Sequence, residues 1–257
     1  MPENDLTLIA EAARDAGALA MRFWKANPQV WEKPGLGPVT EADLAVNDLL
    51  AERLRRARPG YGWLSEETPD DAARLACERV FILDPIDGTR AFIAGEKHFA
   101  ISIAVAERGR VVAGAIYLPA LDRLYTAAEN DPALCNGTAI NCASRTGLSG
   151  STLLMSKGFL EPDHWHKPPT DLKRSIRSSI AYRLCLIAEG SFDGMISTRD
   201  AWEWDIAAGS LIAERAGAAV SDKHGRALRF NSPGAKTAGI FTAPVAVHSE
   251  ILASFKA

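Results

Sequence analysis

The chain has 257 residues, 47% hydrophobic and 24% charged, the proportions of a globular protein that buries a full core. Its formal net charge of -3 provides no basic field for a nucleic acid polymer or an anionic membrane surface. No run reaches about 18 consecutive apolar residues, and the N-terminus is acidic where a secretory signal would be basic. We therefore expect a cytoplasmic protein without nucleic-acid or membrane partners.

The first part of the chain predicts two helices separated by a loop. Apolar residues recur at helical spacing between Asp5 and Phe23, which predicts an amphipathic helix. The segment from Ala26 to Pro38 is rich in proline and glycine and predicts a loop. Thr40 with Asp43 three residues later is typical of a capping box, so a second helix is expected to begin there.

The most informative run of the sequence is an apolar strand that leads into two carboxylates. Residues 80–83 are followed by D-P-I-D-G-T, in which Asp84 and Asp87 precede Gly88 and Thr89. Because Pro85 cannot donate to a β-ladder, we expect the strand to end near Asp84 and its carboxylates to face a cleft. Gly88 lets a ligand approach the backbone, and the first amides of a helix starting at Thr89 favour an anion. The run therefore indicates a cation and a phosphate together.

This run has three other interpretations, and the spacing of its acids argues against two of them. Asp, Pro, Gly and Thr are ordinary turn formers, so a tight turn without a ligand is the alternative. An EF-hand loop places acids at alternate positions before its glycine, which does not fit. Phosphatases with an aspartyl nucleophile separate their two acids by one residue, whereas two residues separate Asp84 from Asp87.

The remaining segments alternate between strand and helix signals. In the second half, the run W-E-W-D-I-A-A-G predicts a buried helix that opens at Asp205 and stops at Gly217. The alternative role for Asp205 is the N-cap of that helix. Further strands are expected at Gly62–Ser65, Ala100–Ala106, Arg110–Tyr117, Arg123–Ala127, Thr152–Met155, Gly194–Ser197 and Gly239–Phe241, and a further helix at Tyr182–Glu189.

Several of these elements occur together in a characteristic order. Glu66 stands in L-S-E-E, residues 84–89 form D-P-I-D-G-T, and Asp205 stands in W-D-x-A-A-G, while residues 39–43 supply V-T-x-x-D. This combination resembles the inositol monophosphatase superfamily of magnesium-dependent, lithium-sensitive phosphatases. The similarity extends from the first helix to about residue 220, and so covers most of the chain.

The resemblance implies a fold and an assembly. The expected fold class is a layered sandwich of α+β and α/β character. An N-terminal antiparallel-sheet half, residues 1–145, would carry most metal ligands. A smaller C-terminal α/β half, residues 146–257, would contribute the last metal aspartate and substrate contacts, with the site in the crevice between the halves. Dimers are common in this family, so a homodimer is one assembly that the resemblance allows.

The resemblance also implies two or three Mg²⁺ ions per site. Glu66, Asp84 and the carbonyl of Ile86 would hold one ion, and Asp84, Asp87 and Asp205 a second, with Asp84 bridging the two. A loosely held third ion would be reached through Glu66 and waters. Magnesium neutralises phosphate oxygens and activates the attacking water.

Catalytic and substrate roles follow from the same resemblance. Thr89, hydrogen-bonded to Asp43, would orient the attacking water and help Glu66 to deprotonate it. The backbone amides after Asp87 would hold the phosphate. The expected substrate contacts are those of Asp87, Gly88, Thr89, Asp205 and Arg199.

The substrate itself stays open between three branches of the superfamily. L-S-E-E and residues 178–190 look like the bisphosphate nucleotidases, which remove the 3'-phosphate from 3'-phosphoadenosine 5'-phosphate, and this substrate is favoured. That branch's aromatic-Pro-Arg stretch is replaced here by I-S-T-R. The inositol branch carries a glutamate where this chain has Thr198, and D-P-I-D-G-T-R-A-F-I also looks like a histidinol-phosphate phosphatase. A metal-dependent sensor of phosphorylated metabolites is the non-enzymatic alternative.

Four further residues have two interpretations each. Lys157 and Arg183, like Arg199, would bind a second phosphate or would only be solvated surface charges. Trp202 and Trp204 would stack on an adenine or pack the start of the helix against the core.

Overall fold

The computed structural model describes residues 4–33, 35, 37–167, 169 and 171–256 of the chain. The helices within these residues are α1 (Asp5–Phe23), α2 (Glu41–Ala57), α3 (Thr89–Ile93), α4 (Ile180–Ala188), α5 (Glu203–Arg215) and α6 (Val245–Ser254). The strands are β1 (Val30–Lys33), β2 (Gly37–Thr40), β3 (Gly62–Ser65), β4 (Arg79–Asp87), β5 (Ala100–Glu107), β6 (Arg110–Leu118), β7 (Arg123–Ala128), β8 (Leu134–Cys135), β9 (Thr138–Ala139), β10 (Thr152–Leu154), β11 (Lys173–Ser175), β12 (Gly194–Ser197), β13 (Ala201–Trp202), β14 (Ala218–Ser221), β15 (Lys236–Thr237) and β16 (Ile240–Pro244).

A seven-stranded sheet forms the centre of the N-terminal half. Its strands follow chain order from β3 to β9, and every neighbouring pair is antiparallel except β3 and β4. The parallel pair differs from the antiparallel sheet that was expected. Parallel pairing sets Ser65 opposite Leu83, so that both strands point with their C-terminal ends toward the same edge of the sheet. Glu66 and Asp84, the next residues on each strand, are therefore neighbours.

Helices cover both faces of this sheet. Phe81 and Leu83 of β4 pack into a core with α1 and α2, whereas Val80 and Ile82 pack into a second core with α4 and α5. Because successive side chains of a strand point to opposite faces, a strand buried on both faces reads as one continuous apolar run. This packing explains the unbroken hydrophobic stretch before Asp84.

A five-stranded sheet forms the centre of the C-terminal half, in the order β11-β10-β12-β16-β14. β10 is parallel to β11 and β12, and β16 is antiparallel to β12 and β14. Residues of α6 pack against this sheet in a third core. The layered arrangement of helices and sheets is confirmed, and the proposed boundary near residue 145 falls between β9 and β10.

Three features differ most from the sequence prediction, and several other helix and strand ends differ by a few residues. The segment expected to be a loop contains the β1–β2 hairpin, in which Glu32 pairs with Pro38. A two-stranded ribbon leaves one edge of each strand unpaired, and a proline is tolerated there. β4 continues past Pro85, because the register shifts between Asp84, opposite Ser102, and Asp87, opposite Ala100. The extra residue forms a bulge that accommodates the proline.

The third difference concerns the start of α5. The helix begins at Glu203, and Trp202 is its N-cap, so Asp205 is the third residue of the helix rather than its opening residue. The N-capping role considered for Asp205 is therefore wrong. Its carboxylate projects from the first turn, where a negative charge interacts favourably with the helix dipole.

No helix in the described part of the chain combines the length and the hydrophobicity that crossing a membrane requires.

Candidate active site

Three carboxylates from distant parts of the chain meet at one edge of the seven-stranded sheet. Glu66, Asp84 and Asp205 each offer an oxygen, and these oxygens all lie within 4.8 Å of one another. One backbone hydrogen bond and one side-chain hydrogen bond hold the segments that carry them. The amide of Glu66 donates to the carbonyl of Leu83 at 3.3 Å. The hydroxyl of Ser102, opposite Asp84 in β5, donates to the carbonyl before Asp205 at 3.2 Å.

The cluster is electrostatically unfavourable on its own. Burial raises the pKa of Asp84 well above its ordinary value, and the neighbouring charges of Glu66, Asp87 and Asp205 raise it further. Burial likewise raises the pKa of Asp205, and Asp87 and Glu66 add to the effect. Carboxylate oxygens alone form this donor set, which is the chemistry that Mg²⁺ prefers. The residues present therefore fit a hard divalent cation, whose charge would offset the repulsion.

Asp87 joins the two halves of the chain. Its Oδ2 accepts hydrogen bonds from the hydroxyl of Ser179 and from the amide of Ala181, both at 2.6 Å. Ser179 is also the N-cap of α4, so this carboxylate sits at the positive end of a helix. Burial raises the pKa of Asp87 to about 6 although both hydrogen bonds lower it.

Asp43 lies beneath Thr89 as expected. The hydroxyl of Thr89 is 3.3 Å from Oδ1 of Asp43 and 3.2 Å from the carbonyl oxygen of Ile86. The predicted capping box is confirmed, because Oδ2 of Asp43 accepts from the amide of Thr40 at 2.8 Å while the Thr40 side chain accepts from the amide of Asp43. Burial raises the pKa of Asp43 to about 6. The capping box thus holds Oδ2 of Asp43, and Oδ1 is left to accept a hydrogen bond from Thr89.

Gly88 adopts a backbone conformation that other residues rarely take. Its φ is +97°, and a Cβ at this position would lie 3.1 Å from the carbonyl oxygen of His98. This conformation turns the chain from β4 into α3 and brings the amides of Gly88 and Thr89 to the site.

A cavity of about 390 Å³ contains these groups. Ile86 is fully buried and its side chain does not line the cavity, but its carbonyl oxygen accepts a hydrogen bond from the hydroxyl of Thr89, which does. Arg199 and Lys157 are exposed and do not line the cavity. The lining residues are Pro38, Glu66, Asp84, Asp87, Gly88, Thr89, Arg90, Ser178, Trp202, Trp204 and Asp205.

Lys33 also belongs to this site, although no sequence motif indicated it. Its Nζ lies 2.9 Å from Oε1 of Glu66 and 2.7 Å from Oε1 of Glu67. The β1–β2 hairpin carries Lys33 to the acids, and its ammonium balances part of their charge. Burial nevertheless raises the pKa of Glu67 to about 7. A lysine in a stretch that resembles a loop carries no local signal for such a contact, and Pro38, at the end of that stretch, was missed for the same reason. Arg90, in α3, was also not identified as lining the cavity.

Trp202 and Trp204 pack against each other at the wall of the cavity. Their rings are stacked, with centroids 4.5 Å apart and planes 10° from parallel. The Nζ of Lys236 lies 3.9 Å from the centroid of the Trp202 ring. Because Trp204 stacks on one face of Trp202, the ammonium of Lys236 lies over the opposite face. Both faces of Trp202 are therefore covered, which favours the packing role over stacking on an adenine.

Comparison with known proteins places this geometry in a family. The chain matches the Inositol monophosphatase family over residues 2–256. It belongs to the inositol monophosphatase family. Members of this family are metal-dependent phosphatases that act on small phosphorylated substrates, and this member is accordingly a phosphoric monoester hydrolase.

Relatives of this inositol monophosphatase family member carry different names. An inositol-1-monophosphatase of Mesorhizobium japonicum is 35% identical, with 86% of each chain covered. A 3'(2'),5'-bisphosphate nucleotidase CysQ of Salmonella typhimurium is 31% identical, and the alignment covers 88% of this chain and 93% of that protein. The solved structure of Thermotoga maritima IMPase superposes with a TM-score of 0.81 at 26% identity, covering 96% and 95% of the two chains. These relatives show the family, but their names indicate different substrates.

Proposed function

We propose that the chain is a Mg²⁺-dependent phosphomonoesterase whose substrate is 3'-phosphoadenosine 5'-phosphate, which it converts to AMP and phosphate. The observation that carries the reaction type is the convergence of Glu66, Asp84 and Asp205 beside Thr89 in one cavity. Water attacks phosphorus, the P–O bond to the 3'-oxygen breaks, and the released alcohol takes up a proton.

Each side chain has a role in this proposal. Magnesium, when bound, lowers the pKa of water and neutralises the phosphate oxygens. The ligands would be the carboxylates of Glu66, Asp84, Asp87 and Asp205 together with the carbonyl of Ile86.

The groups around Thr89 handle the attacking water. The Thr89 hydroxyl accepts a hydrogen bond from the water while it donates to Asp43, and Glu66 takes the proton. The amides of Gly88 and Thr89 donate to the phosphate oxygens and stabilise the charge that develops on them.

The hydroxyl of Thr89 provides a direct test of this arrangement. Thr89→Val preserves the volume but removes the hydroxyl, so we expect kcat to fall by about 10²–10⁴-fold, the usual contribution of a positioned acid or base. Thr89→Ser should retain most of the activity. Steady-state kinetics at saturating MgCl₂ would measure both. Thr138→Val, at an exposed position of β9, is the matched control, and a Thr89→Val enzyme within threefold of the parent would contradict the role.

A half-buried cation that contacts the cavity-lining Ser178 supports a substrate with two phosphates. Arg183 of α4 lies close enough to Asp87 and Asp205 that both carboxylates raise its pKa, although burial has the larger, opposite effect. Its guanidinium donates to the carbonyls of Arg177 and Ser178, at 2.5 and 3.4 Å, and Ser178 lines the cavity. A guanidinium there suits a second anionic group on the substrate.

Inositol 1-phosphate is the second candidate, because the relative at 35% identity is named for that activity. Against it, Thr198 replaces the glutamate that would contact an inositol hydroxyl. Histidinol phosphate is the third candidate and rests only on the D-P-I-D-G-T-R-A-F-I run.

One assay separates the candidates. Phosphate release would be measured with MgCl₂, with and without LiCl, on 3'-phosphoadenosine 5'-phosphate, inositol 1-phosphate, fructose 1,6-bisphosphate and histidinol phosphate. We expect kcat/KM for the first to exceed the others by at least about tenfold, the value of one well-placed charged contact. A higher kcat/KM for inositol 1-phosphate or histidinol phosphate would overturn the specificity. No turnover of any of the four would overturn the proposed substrate class.

A further inference from the structure

Arg74 is a buried cation outside the cavity. Only 1% of its side chain is exposed, although it lies in a short 3-10 turn, Ala72–Ala76, on the connection between β3 and β4. Its guanidinium holds Asp70 through two hydrogen bonds of 2.6 and 2.8 Å. Its other donors bind Oδ1 of Asn231 at 2.6 Å and the carbonyl of Ser232 at 3.0 Å. Arg74 therefore connects the first half of the chain to a loop of the second half.

Glu203 is bound by the same loop from the other side. Its side chain is fully buried, and its two oxygens accept hydrogen bonds from the amides of Asn231 at 2.6 Å and Ser232 at 2.9 Å. The hydroxyl of Ser232 donates to it as well. Glu203 does not line the cavity, so no direct contact with substrate accounts for its burial. Asp70, Arg74, Asn231, Ser232 and Glu203 together form a continuous network, named here the Arg74 clasp.

The ends of the Arg74 clasp are close in sequence to two of the clustered carboxylates. Asp70 follows Glu66 by four residues, and Glu203 precedes Asp205 by two residues in the first turn of α5. The clasp thus ties the segment that carries one acid to the segment that carries another. Because these like charges repel each other, a structure that holds both segments must resist their separation.

We propose that Arg74 and Glu203 are positioning residues that set the separation of Glu66 and Asp205 and so preorganise the cation site. This inference rests on the proposed metal-dependent function. Groups that orient metal ligands without touching the metal commonly change its affinity by 10–100-fold. The clasp acts through affinity for the ion, because its members reach neither the cavity nor the phosphate.

Direct binding of Mn²⁺, followed by electron paramagnetic resonance, tests the inference without any turnover. We expect Arg74→Met and Glu203→Gln each to raise the Mn²⁺ dissociation constant by about 10–100-fold. Members of one network act as a unit, so the double variant should bind about as weakly as the weaker single variant. In kinetics, the MgCl₂ concentration for half-maximal rate should rise by a similar factor, while kcat at saturating MgCl₂ stays within about threefold of the parent.

A control arginine lies at the start of β4, at the end of that strand opposite to Asp84 and Asp87. Arg79 begins β4 and is held by Asp5, Tyr61 and Glu107, with distances of 2.9 to 3.0 Å. Arg79→Met removes an arginine with three such hydrogen bonds at the end of β4 remote from the clustered acids, and its Mn²⁺ dissociation constant should stay within about twofold of the parent. Ser232→Ala, which removes one hydroxyl, replaces either clasp variant that fails to fold, with an expected weakening of a few-fold.

The outcomes separate this inference from the proposed function. Unchanged Mn²⁺ affinity in the folded clasp variants would overturn the clasp. The same weakening in Arg79→Met would also overturn it, since general destabilisation would then explain the loss. A parent protein that binds no Mn²⁺ would instead overturn the metal site itself.

Discussion

Asp84→Asn is expected to lower kcat/KM by at least about 10³-fold while leaving the fold intact. Asp84 is 2% exposed, and one of its oxygens lies within 4.8 Å of an oxygen of Glu66 and of Asp205, so it contributes a charge at the centre of the proposed cation site. Asparagine keeps the size of the side chain and an acceptor oxygen. It can still accept the hydrogen bond that the amide of Ile86 donates to Oδ1 of Asp84 at 2.9 Å. The bulge in β4 should therefore persist, whereas the affinity for a divalent cation should not.

The same substitution has an opposite expected effect on stability without metal. Burial and neighbouring carboxylates raise the pKa of Asp84, so its charge destabilises the metal-free fold. Asp84→Asn removes that charge, and the variant in EDTA should melt at the same temperature as the parent or higher. Asp48→Asn, on the exposed side of α2, controls for the loss of a surface charge. More than a tenth of parental turnover, or a collapsed fold, would contradict the central role of Asp84.

The metal-free protein is expected to lose thermal stability as the pH rises from about 5 to 8. Burial raises the pKa of Asp43 and of Asp87 from 3.8 to about 6, and it raises the pKa of Asp84 and of Asp205 well above the ordinary value of an aspartate. In this window the folded state binds more protons than the unfolded state, so stability falls as the pH rises through the folded pKa values. Below about pH 4 the difference disappears, because these carboxyls are then protonated in both states.

Mg²⁺ should reverse this loss at pH 8. An ion present at 100 times its dissociation constant stabilises the folded state by about 2.7 kcal/mol. For a chain of this size, that corresponds to a rise in Tm of about 5–10 °C. Melting curves at pH 5, 6.5 and 8, in EDTA and in MgCl₂, would measure both effects.

Asp84→Asn serves as the control for the metal response, which it should lack. A Tm that stays level from pH 5 to 8 in EDTA and ignores MgCl₂ would show that the acids are not a cation site.

Local signals in the sequence were sufficient for much of the fold. Helix α1 has the predicted bounds, Asp5–Phe23, because its apolar stripe repeats at helical spacing over five turns. The capping box of Thr40 and Asp43 was readable because all its hydrogen bonds lie within four residues. Strands β5, β6 and β7 each begin where predicted, at residues that follow turn signals.

Features that depend on pairing between segments were not readable in the same way. The β1–β2 hairpin was predicted as a loop, since its proline and glycine content outweighed a short strand signal. The parallel pairing of β3 with β4 was missed because nothing in either strand encodes the direction of its neighbour. In each case the tertiary environment overrode the local preference.

The sequence by itself determined the chemistry: which side chains carry oxygen donors, where glycine lets the chain turn, and which family these motifs resemble. Only the tertiary structure decided that Glu66, Asp84 and Asp205 meet, that Lys33 reaches the acids, and that Arg74 and Glu203 hold the loop between them. The physical reason is the difference in range along the chain between local preferences and tertiary packing. Donor type and backbone preference are properties of a few adjacent residues, whereas the distance between two acids is set by how sheet and helices pack to bury their apolar faces.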